Sequence, residues 1–365
     1  MKVIFVSGGS GGPTAPLIGV YEQFKDRDPD IQVLWLGTRN GVEQKMIAPY
    51  QINFKAIVCG KLRRYFSLKN IFTPLLVFIG FIQSLFVLMK FKPDIVVSAG
   101  SFVAVPVVYA AWVLRIPRII HQQDLQIGLA NKLTGKVASL VTVTFSDSIG
   151  SFDYKKTYHV SNPVRKMIFQ GSREKAVQLF KLIPGKSTLL VMGGGQGAEV
   201  INQVLLESIG KIIKNNFQII HLTGAGKSIN AHFVDYYDRQ TIKLIEENYH
   251  AYEFLNQEIF DAYAIADLVV TRAGFSVLTE LAVLAKPALL IPIPGHQEVN
   301  AQYFAKYNAA KVIQQQDLNY EVFIQAVVSL MSNPADLQNL SRNISQMIEK
   351  DAAKKYVDLI YELLK

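Results

Sequence analysis

The chain has 365 residues, of which 50% are hydrophobic, and it carries a formal charge of +9 at pH 7. This length suffices for two domains with their own cores, and the positive charge predicts an acidic partner such as anionic lipid, a phosphorylated substrate or nucleic acid. The single cysteine, Cys59, excludes a disulfide framework and fits a reducing compartment. The opening apolar run is too short for the core of a signal peptide and predicts a first strand.

Short β-rich runs alternate with longer helical patterns along the whole chain. The strand candidates are VIFV, VLWLG, DIVVSAG, PRIIHQ and LVTVTF in the first half, and STLLVMGGG, QIIHLTG, DLVVTRAG and ALLIPIPG in the second. This alternation predicts parallel sheets covered by helices, with ligands beyond the carboxyl ends of the strands. A glycine cluster follows the first strand of each half, which indicates two nucleotide-binding-type domains in tandem. We expect domains at residues 1–159 and 160–345, and a helical segment at 346–365 that packs back on the first domain.

One segment, between Glu43 and Asp94, contains no acidic residue and includes the apolar run IFTPLLVFIGFIQSLFVLM. As a helix this run is about 28 Å long, nearly enough to span a bilayer. A spanning helix and a buried core helix are both alternatives. The pattern favours a partly exposed patch that enters the membrane interface while basic neighbours hold anionic lipid. The predicted patch comprises Arg63, Arg64, Lys69, Phe78, Phe81 and Phe86. Thr73, Gly80 and Ser84 share the helical face expected to pack against the domain.

The two glycine clusters differ in strength as evidence for an anion site. GGSGGP, after the first strand, has no ionisable side chain and lacks the spacing of a dinucleotide fingerprint. Its Gly-Gly pairs still allow backbone amides to approach an anion closely, although a plain tight turn is the alternative. GGGQGA, at residues 193–198, follows a strand and opens a helix, whose free amides suit a diphosphate.

The second half continues with a run of polar residues at strand and helix ends, DLVVTRAGFSVLTELAVLAKPALLIPIPGHQEVNAQYF, which starts at Asp267. Arg272 ends a strand, and Glu280 lies two turns into the following helix, where a carboxylate can accept both hydroxyls of a ribose. His296 and Gln297 follow a proline-punctuated strand and offer the hydrogen bonds that sugar recognition needs. A solvated helix charge and an exposed loop histidine are the alternatives for Glu280 and His296.

These motifs occur together in the order of one known family. GGSGGPTAP, SAGSFVAVP, IPRIIHQQDLQIGLANK, SNPVR, GGGQGA and TRAG…TEL…KP…IPIP…HQEVNA span nearly the whole chain, which resembles the MurG family of peptidoglycan glycosyltransferases. The resemblance implies an α/β fold of the GT-B type, with two Rossmann-like domains whose parallel sheets face across a cleft. It implies inverting transfer of N-acetylglucosamine from UDP-N-acetylglucosamine to the muramyl 4-hydroxyl of a polyprenyl-diphosphate lipid, which converts lipid I to lipid II. The enzyme would be peripheral, on the cytoplasmic side of the cell membrane at an anionic surface.

The resemblance also implies which residues bind the two substrates. The donor site would comprise Arg165, Gly194, Gly195, Gln196, Gly197, Leu255, Arg272, Glu280, His296 and Gln297. Arg165 and the glycine loop would hold the diphosphate, Glu280 the ribose, and the backbone of Leu255 or Asn256 the uracil. The acceptor diphosphate would bind to the loops that contain Gly11, Gly12, Gly100 and Ser101. The family needs no metal or other cofactor, and the sequence shows no metal-ligand cluster, so arginine and amides would stabilise the departing UDP.

Three acceptor-side motifs depart from the family pattern. Pro13 replaces a histidine, Gly-Gly-Tyr becomes Gly-Ser-Phe at residues 100–102, and His-Glu-Gln-Asn becomes His-Gln-Gln-Asp at residues 121–124. An inverting transfer needs a base beside the attacking hydroxyl, and the nearest substitutes are His121 and Asp124. Two alternatives remain open: a different glycolipid acceptor, and a UDP-sugar-binding homologue without turnover. A dehydrogenase is disfavoured because neither loop has the dinucleotide spacing. Nucleic acid is disfavoured because the basic residues lie beside aliphatic and phenylalanine-rich sequence.

Overall fold

The structure is a computed structural model that describes residues 1–9, 11–60, 71–193, 198–227 and 237–365. The chain divides into two units, Met1–Arg165 with Glu349–Lys365, and Lys166–Ile348. The first unit therefore extends past the predicted boundary at residue 159. The reason is packing: the Val160 amide donates to the Val143 carbonyl, and Val164 lies directly against Gly19.

The first unit contains a parallel seven-stranded sheet in the order β3-β2-β1-β4-β5-β6-β7. Its strands are β1 (Lys2–Val6), β2 (Gln32–Gly37), β3 (Asn53–Ala56), β4 (Ile95–Ser98), β5 (Arg118–Gln122), β6 (Leu140–Val143) and β7 (Thr157–His159). Its first helices are α1 (Thr14–Arg27), α2 (Val42–Ile47), α3 (Thr73–Phe91), α4 (Ala104–Val113) and α5 (Leu129–Val137).

The second unit contains a parallel six-stranded sheet in the order β10-β9-β8-β11-β12-β13. Its strands are β8 (Thr188–Met192), β9 (Gln218–Leu222), β10 (Tyr249–Tyr252), β11 (Leu268–Thr271), β12 (Ala288–Leu290) and β13 (Lys311–Val312). Its helices are α6 (Arg173–Leu179), α7 (Glu199–Lys214), α8 (Arg239–Asn248), α9 (Glu258–Ile265), α10 (Phe275–Val283), α11 (His296–Lys306), α12 (Tyr320–Met331) and α13 (Pro334–Ser345). The last helix, α14 (Ala352–Leu363), belongs to the first unit and packs on α1.

Both sheets reverse their strand order at the first strand of the unit. β1 lies between β2 and β4, and β8 lies between β9 and β11. In sheets of this kind the crevice beyond the carboxyl ends at the reversal point is where ligands bind. The two glycine clusters follow β1 and β8, so each lies at such a point. This topology confirms the expected pair of Rossmann-like domains.

The core of the first unit forms two layers because successive residues of a strand face opposite sides of the sheet. Val3 and Phe5 pack in the layer that contains α1 and α14. Ile4 and Val6 pack in the layer that contains α3 and α4. A central parallel strand is buried on both faces, which explains why β1 is apolar throughout its buried length.

Helix α3 is held to the first unit by one narrow face. Thr73, Gly80 and Ser84 are buried, as the sequence predicts. A Cβ at Gly80 would lie only 2.0 Å from the Val58 carbonyl oxygen, so the helix backbone rests directly on the preceding segment. The Val58 amide also donates to Gln83 Oε1 at 2.9 Å. The position of α3 therefore depends on a small residue at its contact with the domain.

The opposite face of α3 is exposed and strongly apolar. Phe72, Leu75, Phe78 and Phe86 are each more than half exposed. Phe81 was expected on this face, but it is half-buried and packs against the core, because it lies on the inner side of the helix. Arg63, Arg64 and Lys69 lie outside the described residues. Among the residues described, α3 is the one helix that is long and apolar enough to cross a bilayer, with a mean hydropathy of 2.0.

Replacement of Gly80 by leucine should destabilise the first unit by about 2 kcal/mol, because the new side chain has no space against Val58. Urea unfolding followed by circular dichroism measures the effect. The matched control is Gly150→Ala, since a Cβ at Gly150 meets no atom within 4 Å. Equal midpoints for the two variants would show that α3 is not held by this close contact.

Candidate active site

The first unit presents a glycine-rich turn at the carboxyl end of β1. The Gly11 carbonyl accepts the amides of Thr14 and Ala15, which starts α1. Below the turn, the Ser7 hydroxyl lies 2.9 Å from the Thr14 hydroxyl and accepts from Trp35 Nε1. Gly11 and Gly12 are only half-buried. The turn is therefore fixed from beneath by side chains.

The turn after β4 lies on the neighbouring strand and keeps a backbone shape that favours glycine. Gly100 has φ +96° and Ser101 has φ +90°, a region that L-residues other than glycine rarely adopt. The Ser98 hydroxyl accepts the Gly100 amide at 3.2 Å. Ser101 stands where the related family has a second glycine, and the chain retains the loop shape at a cost in strain. Such strain is typical of ligand-binding loops.

His121, which the sequence offers as a candidate base, lies in β5 and is 1% exposed. Its Nε2–H donates to Asn162 Oδ1 at 3.0 Å, and its Nδ1 accepts from the Thr142 hydroxyl at 2.9 Å. Burial lowers the pKa of His121 to about 4. The ring is neutral and fully engaged inside the unit, where it ties β5 to its neighbours rather than facing a substrate.

Gln122, at the position of the family glutamate, is also engaged within the fold. Its Nε2 donates to the Asp124 carbonyl at 2.7 Å and to the Gln126 carbonyl at 3.3 Å. Its Oε1 accepts from Asn131 Nδ2 at 2.7 Å. A carboxylate here would repel both carbonyls, so glutamine is the residue that this loop conformation requires. Asp124 is half-buried at the tip of the strand and is the acidic residue that the loop presents.

The second unit places buried polar groups at the carboxyl ends of β11 and β12. Arg272 is 8% exposed and donates from a terminal guanidinium nitrogen to the Ile291 carbonyl at 2.9 Å. Burial lowers the pKa of Arg272. Its Nε and the Thr271 hydroxyl have no hydrogen-bond partner among the described residues. Buried donors are rarely left in this state, so this edge has the character of a polar binding site.

Glu280 lies on α10, after the Arg272 turn, where the sequence placed the ribose contact. The buried Tyr263 donates its hydroxyl to Glu280 Oε2 at 3.1 Å. This bond fixes the orientation of the carboxylate, which is half-buried. Sequence reasoning did not identify Tyr263, because its position in the run DAYAIAD reads as ordinary helix core.

The other predicted donor residues lie in three places. His296 is exposed at the first position of α11, and the neighbouring Gln297 accepts the Ile293 amide through Oε1 at 3.1 Å. Beside Leu255, the Asn256 amide donates to Glu258 Oε2 at 2.8 Å, so this amide is engaged within the fold. Gly194, Gly195, Gln196 and Gly197 lie outside the described residues.

Arg165 belongs to the first unit, unlike the rest of the predicted donor set. It is half-buried, and its charge acts on the Tyr50 hydroxyl. That hydroxyl donates to Glu22 at 2.7 Å, and burial together with this carboxylate raises the pKa of Tyr50.

Helix N-termini at the two strand-reversal points lack side-chain caps. No side chain caps α1, α4, α7 or α10. By contrast, Ser172 caps α6, Asp238 caps α8, Asn319 caps α12 and Asn333 caps α13. These four helices without a cap follow β1, β4, β8 and β11, and α2, α3, α5, α9 and α14 also lack a side-chain cap. The first amides of α1 and α4 donate to the backbone carbonyls of Gly11 and Ser101, whereas the N-terminus of α7 has the helix dipole that stabilises a diphosphate.

A buried histidine supports the first turn of α7 from within the second unit. His221 Nε2–H donates to Asn202 Oδ1 at 3.0 Å, and the Tyr249 hydroxyl donates to His221 Nδ1 at 2.8 Å. Burial lowers the pKa of His221 to about 4. Asn202 in turn donates to the Thr223 carbonyl, which ties the first turn of α7 to the end of β9. His221 repeats in this unit the arrangement of His121 in the first.

Comparison with known proteins defines the class. Residues 3–143 match the glycosyltransferase family 28 N-terminal domain, and residues 188–356 match the glycosyltransferase family 28 C-terminal domain. The chain belongs to glycosyltransferase family 28. A UDP-GlcNAc 2-epimerase from Neisseria meningitidis, 16% identical with a TM-score of 0.71 over 99% of this chain and 100% of that one, shares the fold.

Particular relatives are similar over nearly the whole chain. The UDP-N-acetylglucosamine--N-acetylmuramyl-(pentapeptide) pyrophosphoryl-undecaprenol N-acetylglucosamine transferase of Legionella pneumophila (strain Paris) is 35% identical over 99% of this chain and 96% of that protein. A Bacillus thuringiensis (strain Al Hakam) protein of the same name, numbered 3, is 34% identical over 91% of this chain and 92% of its own length. MurG of Acinetobacter baumannii is 25% identical, with a TM-score of 0.72 and 99% coverage of both chains. The resemblance seen in the sequence is confirmed.

The two buried histidines predict how stability depends on pH. Each has a folded-state pKa of about 4, below the unfolded value of 6.5, so the unfolded chain binds more protons between these values. The free energy of unfolding should therefore fall by about 2 kcal/mol per histidine from pH 7 to about pH 5. Urea unfolding at both pH values tests this.

The matched variant is His221→Gln, which removes one titrating ring and should lose about half of the pH dependence. Equal pH dependence in the variant and the original protein would contradict the assignment of His221 as a neutral buried ring.

Proposed function

We propose that this protein transfers N-acetylglucosamine from UDP-N-acetylglucosamine to the muramyl 4-hydroxyl of N-acetylmuramyl-(pentapeptide) pyrophosphoryl-undecaprenol, with inversion at the anomeric carbon. The observation that carries the proposal is 35% identity, over 99% of the chain, to relatives named for this transfer. The product is the disaccharide lipid of peptidoglycan synthesis. The polar residues and glycine-containing loops at the carboxyl ends of the strands in both units support the same reaction.

The second unit supplies the donor site. Glu280, oriented by Tyr263, accepts the hydroxyls of the ribose. The uncapped first turn of α7 binds the diphosphate through backbone amides. Arg272 brings a positive charge with an unused Nε–H to the end of β11, and this charge stabilises UDP as it departs. His296 and Gln297 at the start of α11 contact the sugar.

The first unit supplies the acceptor site and the base. The half-buried loops at Gly11, Gly12, Gly100 and Ser101 bind the acceptor diphosphate through their backbone. Asp124 accepts the proton of the muramyl 4-hydroxyl, whose oxygen then forms a bond to the anomeric carbon. The bond from that carbon to the diphosphate oxygen breaks, and UDP leaves with the electron pair. His121 takes no part in this step, because its ring is enclosed by Asn162 and Thr142.

The exposed face of α3 supports peripheral binding at the cytoplasmic side of the membrane. On this face Leu75, Phe78 and Phe86 are 56–66% exposed. The exposed Lys90 and Lys92 lie at the C-terminal end of the helix. Apolar residues of this kind enter the interface while lysines bind anionic lipid. The inner face is fixed to the domain through Gly80 and Gln83, so α3 lies on the membrane rather than across it.

The transfer is tested by incubation of purified protein with UDP-N-acetylglucosamine and a short-chain muramyl-pentapeptide diphosphate lipid, with UDP release and product mass as readouts. Many turnovers to the disaccharide are expected. Asp124→Asn should lower kcat by about 100-fold or more without loss of donor binding. Glu280→Ala should weaken donor binding instead.

The two variants separate the possible failures of this proposal. Donor binding without any product in the original protein would indicate a UDP-sugar-binding homologue. Full activity in Asp124→Asn would leave the transfer standing but would exclude Asp124 as the base.

Membrane binding is tested by the double substitution Phe78→Ser and Phe86→Ser. Loss of two exposed rings should reduce the affinity for vesicles that contain anionic phospholipid by about tenfold or more, because each ring contributes its burial in the interface. Vesicle sedimentation measures this. Phe169→Ser with Phe254→Ser is the matched control, since these rings are also about half exposed but lie in the second unit. Equal binding by the two double variants would contradict the role of α3.

A further inference from the structure

A cavity of about 690 Å³ lies in the first unit. One end is formed by the loop at residues 125–127, which directly follows Asp124. From there the cavity follows α5, where Lys132 and Lys136 line it, and reaches Lys156 beyond the end of that helix. Its volume lies in the range typical of small-ligand sites.

The charge of this cavity is unbalanced. Lys132 and Lys136 are one turn apart on α5, where like charges repel each other. Neither forms an ion pair within 4 Å in the part of the chain that the structure describes. The one carboxylate in the lining, Asp153, accepts the Lys155 amide at 3.1 Å as a helix cap. The lining therefore favours an anionic ligand.

Lys156 has a fixed position at the far end. Its ammonium donates to the Ala138 carbonyl at 3.0 Å and to the Lys136 carbonyl at 3.3 Å. These are carbonyls at the C-terminal end of α5, where the helix dipole favours a cation. A positive charge is thus held in place at the end of the cavity opposite the Asp124 loop.

The lining between the charges combines apolar side chains with the polar Gln126 and Ser151. Leu125 and Ile127 lie at the entrance, and Phe152 packs against Gly135 in the middle, where a Cβ would lie 2.8 Å from the ring. An elongated ligand with apolar parts and a terminal anionic group fits this combination. The nine residues of α5 correspond to about 14 Å along the helix axis, and five residues of extended peptide span about 17 Å.

We propose that this cavity binds the peptide of the acceptor, with Lys132, Lys136 and Lys156 holding its carboxylates. The inference rests on the proposed function. On a muramyl sugar the peptide is attached through the oxygen of the ring carbon next to the one that bears the 4-hydroxyl. If Asp124 takes the proton of that hydroxyl, the peptide starts beside Asp124, where the cavity also starts. The cavity thereby favours acceptors that carry a peptide with a free carboxyl terminus.

The test compares initial rates with three short-chain acceptors: one with the pentapeptide, one with the same peptide ending in an amide, and one without peptide. Lys132→Glu with Lys136→Glu should raise KM for the pentapeptide acceptor about tenfold, since attraction becomes repulsion. The KM for the peptide-free acceptor and kcat for all three should be unchanged. The amide acceptor should show a smaller shift in KM.

The matched control is Lys350→Glu with Lys354→Glu, an exposed pair in the same unit with the same spacing and the same change in charge. Lys132→Gln with Lys136→Gln, which removes the charges without reversal, should give an intermediate KM. Thermal unfolding of each variant verifies that the first unit is folded.

The outcomes distinguish this inference from the proposed function. If the original protein transfers sugar to all three acceptors and the Lys132/Lys136 variant shifts their KM values equally or not at all, the peptide site is wrong and the transfer stands. If that variant instead loses binding to anionic vesicles with unchanged KM ratios, the cavity holds a lipid headgroup and the peptide assignment is overturned. No transfer to any acceptor by the original protein would overturn both proposals.

Discussion

The constraint on which this structure depends is the burial of parallel strands on both faces. A strand in the middle of such a sheet has no solvent-facing side, so polar groups are placed at its ends or must be fully bonded within it. In β1 and β8 the polar groups are placed at the strand end, where a glycine cluster follows each strand directly. Because all strands of a sheet run in one direction, their polar ends collect at one edge. In sheets of this kind, ligands bind at that edge.

His121 and His221 are polar groups that are fully bonded within a buried strand. Each is a polar side chain inside a buried strand, and each has both ring nitrogens bonded to side-chain partners. A buried network of this kind is stable only when every member is satisfied. The network around His221 reaches Asn202 in the first turn of α7, so the position of this helix depends on interactions made beneath it. Hydrogen bonds of the buried histidines therefore link the core of each unit to the carboxyl ends of its strands.

In the loop after β5, the glutamine that replaces the family glutamate at residue 122 fits the local hydrogen bonding. Gln122 donates to two carbonyls of that loop and accepts from Asn131, a set of bonds that needs an amide rather than a carboxylate. The glutamine therefore removes one acid from the site but stabilises the loop on which Asp124 is placed. The same loop continues into the lysine-lined cavity. Gln122 and Asp124 thus belong to one local conformation, in which the amide is bonded to the loop and the carboxylate is half-buried.

The sequence by itself determined the fold class, because the alternation of apolar strands and amphipathic helices has few packing solutions. It also determined the family, since several short motifs occur in a fixed order. The positions of Arg272 after a strand and of Glu280 on the next helix could be predicted because strand ends and helix turns follow from local spacing, and their role in donor binding stays a prediction. The two-faced character of α3 followed in the same way from the small residues on one side of it.

Only the tertiary structure decided which polar residues are available to a substrate. His121 and Asp124 are three positions apart, yet one is enclosed by partners from distant strands and the other lies half-buried at the loop. Tyr263 reaches Glu280 from another helix, and the three cavity lysines come together from two segments. Burial and hydrogen bonding depend on neighbours that are remote in sequence, and local pattern carries no information about them.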